Sequence, residues 1–354
     1  MKINFYSNFD KQKYSGGRIH TWMFIKALLE ENHHINLITN NKPFFLKENH
    51  NENLNLIDIN NKLSKINKEC DLSIISPNID SDIRVMEKAI KQLNSTYSKS
   101  AIIDFETLAW YNSSSNTSRN SWRYILTNFL SKNSDLIISS THYGSSKAKK
   151  SYLNKKIPDQ IFTSIYPPVL SNLNSFDKKE YDIMFLFKND RISNHKNFYR
   201  YFKAIRKLKG TYKILAVGNL SENDKIAIKS LDKNLIIDNK SNITDIEKFY
   251  YMKKSRLFLF FSNFEGFGLP PVEAALSGQA IISSDLPTLN EIFKNKITII
   301  KEDNECIDLI ENESIKPFEI EFLKDLQKRV SFTNFKNKLT INLKKLLNKN
   351  KITK

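Results

Sequence analysis

"SNFEGFGLPPVEAALSGQAIISSD", residues 262–285, decides how this chain is read. The apolar run just before it, "RLFLFF" at 256–261, has the composition of a buried strand. A loop over 262–269 follows, and Pro270 or Pro271 suits the first helical position, where a missing N–H costs nothing. The helix then runs to about Ser277, with Gly278 as its stop. A second strand is expected over 280–283. The chain has only 8 glycines in 354 residues, and three of them fall within 266–278. Gly266 and Gly268 therefore sit on a strand-to-helix turn, where glycine lets the backbone approach a ligand closely. The free N–H groups and the dipole at the helix start favour an anion, most often a phosphate.

Two carboxylates frame that turn. Glu265 lies on the loop and Glu273 in the expected first turn of the helix. A carboxylate accepts hydrogen bonds from neighbouring hydroxyls. Two of them around a phosphate site suit a ligand with sugar hydroxyls on both sides of its phosphates, as in a nucleotide sugar. The same residues also fit a plain capped turn, because a first-turn glutamate suits the helix dipole and Gly/Pro turns are common.

Working outward, strands are expected at 2–7, 34–39, 54–58, 71–75, 101–104, 135–139 and 161–165. Others follow at 182–187, 212–217, 234–237, 256–261, 280–283 and 296–300. Helical patterns fall between them, notably at 18–31, 82–93, 119–132 and 142–153. Continuous apolar strands alternating with helices imply parallel sheets covered on both faces. Thirteen strands are too many for one ordinary sheet. A break shows at "YPPVLSNLNSFDKKEYD", 166–182. The expected fold class is α/β, with two doubly wound domains facing across a cleft: 1–170, 181–331, and a final helix in 332–354. That helix, with Leu339, Ile341, Leu343, Leu346 and Leu347, either closes the second domain or packs back on the first. Ligands bind beyond the carboxyl ends of parallel strands, so loops that follow strands should carry function.

Composition narrows the class. With 40% hydrophobic residues the chain can build sizeable cores. No window approaches a membrane span, and residues 2–7 are too short for a secretory signal. Cys70 and Cys306 lack metal-ligand spacing and fit a reducing cytoplasm. The Asn-x-Ser/Thr triplets are then chance matches in an Asn-rich chain. The net charge is +17, spread over both halves. It reads as a solvated lysine surface or as attraction to an anionic partner.

"FKNDRISNHKNFYRYFKAI" begins after the first strand of the second domain. Arg191 and Lys196 stand five apart before a helix. A guanidinium and an ammonium at a strand end can neutralise a diphosphate. Read blandly, they are two of 55 basic residues.

Other stretches carry weaker signals. "DSD" at 80–82 matches a metal-binding Asp-x-Asp, but Asp80 or Ser81 as a helix cap is the better reading, and no metal is expected. "WRYILTNFL" at 122–130 places Trp122, Ile125, Leu126 and Phe129 on one face, which suits a core. Lys147, Lys149, Lys150, Lys155 and Lys156 gather with Tyr143 and Tyr152 on a helix. That helix is either simply solvated or a contact with an anionic membrane or a lipid-linked phosphate. No nucleic-acid-binding module is present.

The segment "EGFGLPPVEAALSGQAIISSDLPTLNEI" resembles the donor-site signature of the GT-B glycosyltransferases of family 4, the large retaining group also called group 1. The family's Glu-x7-Glu is met by Glu265 and Glu273, and its Arg-x4-Lys by Arg191 and Lys196. The glycine loop after the first strand is met by Gly16 and Gly17 in "YSGGRIHTW". The resemblance implies that Arg191 and Lys196 hold the donor diphosphate and that Glu265 contacts the transferred sugar as the catalytic residue. Backbone N–H groups of Phe267, Gly268 and Leu269 would sit by sugar and phosphate, and Glu273 would bind the ribose. Transfer would retain configuration and use no metal and no cofactor, the nucleotide sugar being a co-substrate. The acceptor would be a glycan or a lipid-linked glycan, as in surface polysaccharide synthesis. The place would be the cytoplasm or the inner membrane face. Many members carry a His-Asp pair in the first domain. Here the matching region reads "AIIDFETLAWY", with Asp104 and Glu106 but no histidine. Glu106 and His142 are the candidates for that acceptor-side place. A sugar-nucleotide epimerase and a non-catalytic subunit of the same fold are the alternatives.

Overall fold

A computed structural model describes residues 1–9, 16–47, 51–59, 70–77, 84–95, 98–105, 128–157, 159–170, 178–188, 198–231, 234–302 and 304–348. The chain divides into two compact units, Met1–Pro168 with Phe332 onward, and Val169–Ser331.

The first unit is built on a seven-stranded sheet, ordered β3-β2-β1-β4-β5-β6-β7. Its strands are β1 (Lys2–Ser7), β2 (His34–Thr39), β3 (Leu54–Asp58), β4 (Leu72–Ser76), β5 (Lys99–Asp104), β6 (Leu136–Ser139) and β7 (Ile161–Ser164). All neighbours run parallel. Strands such as "LSIIS" are buried at every position, as a sheet covered on both faces requires. Helix α1 (Gly16–Glu30) follows β1, α2 (Arg84–Ser95) lies between β4 and β5, and α3 (His142–Tyr152) follows β6.

One face of the sheet packs Ile3, Phe5, Leu37 and Ile103 under Phe24 and Leu28 of α1. The other packs Tyr6, Ile75, Ile102 and Ile137 under Met86, Ala89, Ala148 and Tyr152. The C-terminal helix joins the first of these cores through buried Phe335, Leu339, Leu343 and Leu346, spaced along one stripe. Ile341 points away from the core and is half exposed, contrary to its place in the expected apolar stripe. Phe129 likewise differs from expectation: it is exposed, and its neighbour Leu130 is the core residue. Trp122, Ile125 and Leu126 lie outside the described residues.

The second unit repeats the architecture with six parallel strands, ordered β10-β9-β8-β11-β12-β13. They are β8 (Tyr181–Leu186), β9 (Tyr212–Val217), β10 (Leu235–Lys240), β11 (Ser255–Phe260), β12 (Ala280–Ser284) and β13 (Thr298–Ile300). Between them run α4 (Phe198–Ile205), α5 (Glu222–Lys229), α6 (Asp245–Lys254), α7 (Leu269–Leu276) and α8 (Pro287–Ile292); α9 (Glu305–Glu311) and α10 (Ile320–Arg329) follow β13. Ser221 and Thr244 form capping boxes that start α5 and α6 at defined points beyond β9 and β10. The core is aromatic: the Tyr201 ring lies between Phe185, at 4.6 Å, and Phe261, at 5.2 Å. In this strand order the sequence direction reverses between β8 and β11. Such a switch point opens a crevice at the carboxyl ends. The loops leaving β8 and β11 are the ones that carry Arg191, Lys196 and Glu265 in sequence.

Candidate active site

The turn after β11 is anchored from α4. The Phe261 N–H donates to the Tyr201 hydroxyl at 3.2 Å. Arg200 donates to the Phe261 carbonyl at 3.3 Å and to Asn263 Oδ1 at 2.6 Å, with its guanidinium 5.7 Å from the Phe261 ring. Ser262 Oγ closes the loop on itself, donating to the Phe264 carbonyl at 2.9 Å. Phe267 is buried, and Glu265 is partly exposed at the carboxyl edge of the sheet.

Gly268 caps α7 in the left-handed region, with φ 94° and ψ 58°. A Cβ there would stand 2.6 Å from Leu289 Cδ2. This glycine is thus required twice over by the protein itself, by its backbone and by close packing against α8. The expectation that a ligand alone demands it is too narrow. Gly278, at φ 80°, terminates the same helix, and the Gln279 N–H reaches back to the Ala274 carbonyl at 3.0 Å. Gly266 does not have a positive φ.

The helix begins at Leu269, one residue earlier than expected, with Pro270 and Pro271 both inside its first turn. Neither proline needs a donor there. Glu273 consequently falls in the second turn, not the first, and the helix dipole does not explain it. It is a buried carboxylate, and the Lys248 ammonium of α6 reaches Glu273 Oε1 at 2.8 Å. Lys248 also pairs with Asp245 at 3.0 Å. Burial pushes the Glu273 carboxyl up, and Lys248 pulls it down. Burial also works against the Lys248 charge, but Glu273 and Asp245 together outweigh it and raise the ammonium. The two tendencies conflict over one proton. With the ammonium between two carboxylates, the ionised arrangement satisfies all three groups, and we take the pair as charged.

The other carboxyl ends of this sheet are also tied down. Gly218 leaves β9 at φ 154°, and a Cβ on it would meet the Phe187 carbonyl at 2.5 Å. Asn239 of β10 donates to the Ala216 and Gly218 carbonyls at 2.9 and 3.0 Å.

Arg191, Lys196 and Glu106 lie outside the described residues, as do Asp80, Ser81 and Asp82. Among the described residues, no three His, Cys, Asp or Glu gather as metal ligands. Gly16 and Gly17 are the first two residues of α1, and the Gly17 carbonyl accepts from Thr21 Oγ1 at 2.9 Å. His142 opens α3 behind an N-cap in which Thr141 Oγ1 accepts from the Gly144 N–H. Its exposed ring places Nδ1 2.9 Å from Ser164 Oγ. Both sites lie on the carboxyl edge of the first sheet, three strands apart. So Glu265, Phe267, Gly268, Leu269 and Glu273 share one strand–loop–helix unit, whereas Gly16, Gly17 and His142 belong to the other unit.

Comparison with known proteins follows the same division. Residues 172–341 match the family model described as glycosyl transferases group 1. The matched stretch takes in nearly all of the second unit. A comparison with curated proteins finds no match. Among solved structures, HepE of Anabaena in complex with UDP-glucose superposes with a TM-score of 0.69 at 13% identity, over 98% of this chain and 100% of that one. Sucrose-phosphate synthase of Thermosynechococcus elongatus gives 0.70 at 13%, over 98% of both chains. WaaG, a glycosyltransferase involved in lipopolysaccharide biosynthesis, gives 0.63 at 12%, over 93% of this chain and 95% of that one. At these identities the likeness is one of fold. It establishes two Rossmann-like α/β domains of the GT-B kind.

Within the second unit, sequence reasoning missed Lys248, Arg200 and Tyr201. Lys248 sits three residues after Asp245, which reads as an ordinary helical ion pair. Nothing local announces its second partner, 25 residues away on another helix.

Proposed function

We propose that this chain transfers a sugar from a UDP- or GDP-sugar to a glycan or lipid-linked acceptor, with retention of configuration and without a metal, in surface polysaccharide synthesis. The observation that carries the reading is the strand–loop–helix at 255–276. It presents Glu265 at the carboxyl edge beside a helix N-terminus, with the buried carboxylate of Glu273 behind it. The matched family and the UDP-glucose bound by HepE support the donor class.

In this reading the donor diphosphate lies against the start of α7, where N–H groups and dipole favour its charge. Arg191 and Lys196 neutralise the departing nucleoside diphosphate, the largest electrostatic demand of the transfer. The bond from the anomeric carbon to the diphosphate breaks, and the acceptor oxygen bonds to that carbon on the same face. The acceptor's proton passes to the departing phosphate oxygen. Glu265 contacts the sugar, Glu273 the ribose, and His142 and Glu106 border the acceptor.

The test is thermal shift with UDP- and GDP-sugars, since a ligand of the folded state raises the melting point. One class should stabilise the parent chain. Arg191→Ala and Lys196→Ala should each weaken that binding by about 1.5–3 kcal/mol, the worth of a hydrogen bond to a charged group. Parental binding in both variants would refute the diphosphate assignment. Turnover should survive excess chelator and should require an acceptor. Conversion of the donor sugar without an acceptor would favour the epimerase.

We also place the enzyme in the cytoplasm, at the inner face of a membrane. Helix α3 buries Gly144, Ala148 and Tyr152 and leaves Lys147, Lys149 and Lys150 exposed, with Lys155 and Lys156 exposed just beyond. Leu153 among them is 55% exposed. No helix among the described residues is long and apolar enough to cross a membrane. Vesicles containing phosphatidylserine should bind the chain, less so as salt rises, and less when three of these lysines become Gln. Equal binding by parent and variant leaves the helix merely solvated.

A further inference from the structure

In a nucleotide site of this kind, a carboxylate that receives the ribose must keep its charge while buried. Glu273 is 11% exposed in its side chain, and a carboxylate so placed loses most of its hydration. Alone it would favour the neutral acid, which presents one hydroxyl donor in place of an acceptor. A neutral Glu273 would accept from ribose hydroxyls poorly. It would also be free to rotate, because the Gly268–Leu276 stretch fixes its backbone but not its carboxylate.

Lys248 changes both conditions. It approaches Glu273 Oε1 at 2.8 Å from a different helix, and it is itself only 17% exposed in its side chain. Its other contact, Asp245 at 3.0 Å, lies in the first turn of α6. That turn is pinned by the Thr244–Glu247 capping box, in which Glu247 accepts from the Thr244 N–H at 2.7 Å and from its hydroxyl at 2.8 Å. The ammonium also stands 4.9 Å from the Phe249 ring. The chain therefore holds Lys248 from its own helix and aims it at Glu273. An ionised carboxylate has about four lone-pair sites. Lys248 uses one of them, so capacity for two ribose hydroxyls remains.

We infer that Lys248, braced by Asp245, is a positioning residue that fixes the Glu273 carboxylate to receive the ribose hydroxyls of the donor nucleotide. The inference rests on the reading of Glu273 as the ribose contact. It ties the ribose end of the site to the turn after β10, so that α6 and α7 form one recognition element for the nucleoside. Lys248 touches no reacting atom.

The experiment separates the inference from the reading beneath it. Binding of UDP and GDP, each paired with its 2′-deoxy counterpart, is measured by calorimetry on the parent, Glu273→Gln, Lys248→Met, Lys248→Arg and Asp245→Asn. The parent should prefer the ribonucleotide by about 10–100-fold, as loss of a hydrogen bond to a charged group implies. Glu273→Gln should abolish most of that preference. Lys248→Met should abolish it too, chiefly by weakening the ribonucleotide. Lys248→Arg should restore much of it, and Asp245→Asn should fall between. A merely structural role for Lys248 would weaken both members of a pair alike and leave their ratio unmoved. Lys248→Met with parental preference, beside Glu273→Gln without it, overturns the positioning role. Parental preference in Glu273→Gln, or no nucleotide bound by the parent, overturns the ribose reading and this inference with it. Should Lys248→Met fail to fold, Asp245→Asn decides, because it removes the brace and leaves the buried pair in place. Parental preference in that variant would then overturn the role.

Discussion

The two carboxyl edges of this chain are built on nearly the same strand order and bear different chemistry. The described edge of the first unit is rich in hydroxyls and amides, beside the buried Arg18 and Asp104. There Ser7 Oγ donates to the Ser76 carbonyl at 3.2 Å, Thr21 Oγ1 meets Ser76 Oγ at 2.8 Å, and Asn41 donates to the Phe9 carbonyl at 2.6 Å. The edge of the second unit is ionic and glycine-hinged, with Glu265, Gly268, Glu273 and Lys248 on adjacent elements. The family model matches the second unit and runs into the final helix, and it leaves the rest of the first unit unmatched. In the proposed reading, where the second unit holds the donor and the first the acceptor, the difference has a physical source. A diphosphate and a ribose impose fixed charges and spacings on whatever binds them. A site for a variable acceptor needs only adaptable hydrogen bonding.

If that contrast is right, the largest effect should come from Glu265. Glu265→Gln keeps the size and removes the charge beside the reacting sugar. Its kcat should fall about 10²–10³-fold, the usual cost of losing one group that stabilises developing charge. Free nucleoside diphosphate should bind almost normally. Glu273→Gln should do the reverse, weakening nucleotide by about 1–3 kcal/mol while kcat at saturating donor changes little. Titration with nucleoside diphosphate and donor turnover on the two variants measure both. Parental turnover in Glu265→Gln would remove the main support for an enzyme.

Most of the fold was legible, for a simple reason. Each strand of a doubly covered parallel sheet is a short apolar run, and the thirteen runs expected correspond to β1–β13 within a residue or two, except the longer β10. Ends were harder. The start of α7 depends on Gly268 adopting φ 94°, which no proline rule predicts, and that shift moved Glu273 out of the first turn. Faces of isolated helices were harder still. Ile341 and Phe129 lie on apolar-looking stripes yet face outward, because a helix has more apolar residues than one core can take. The loop carrying Glu265 could be read because its residues are contiguous. The Lys248–Glu273 contact could not, since it joins two helices through space.

The smallest effect sharpens the contrast from the other side, because it concerns stability and not chemistry. His20 of α1 is 5% exposed, and its ring lies 5.1 Å from Phe24, 4.8 Å from Phe105 and 5.8 Å from Phe335 of the C-terminal helix. Among the described residues, its Nε2 is buried without a hydrogen-bond partner. Burial therefore pushes the imidazole down from its usual value near 6.5 to about 3. The unfolded chain binds a proton below pH 6.5 that the folded chain refuses, so stability falls as pH falls through that window. The loss should be about 1.4 kcal/mol at pH 5.5, and it should grow by about as much per further unit until pH nears the folded value. His20→Leu has no proton to take up. Urea midpoints of parent and variant should thus diverge between pH 7.5 and 4.5, the parent losing more, while carboxylate effects cancel in the difference. Parallel pH profiles for the two proteins would mean that His20 finds water or a partner in the fold. The first unit would then hold a titrating group at its core.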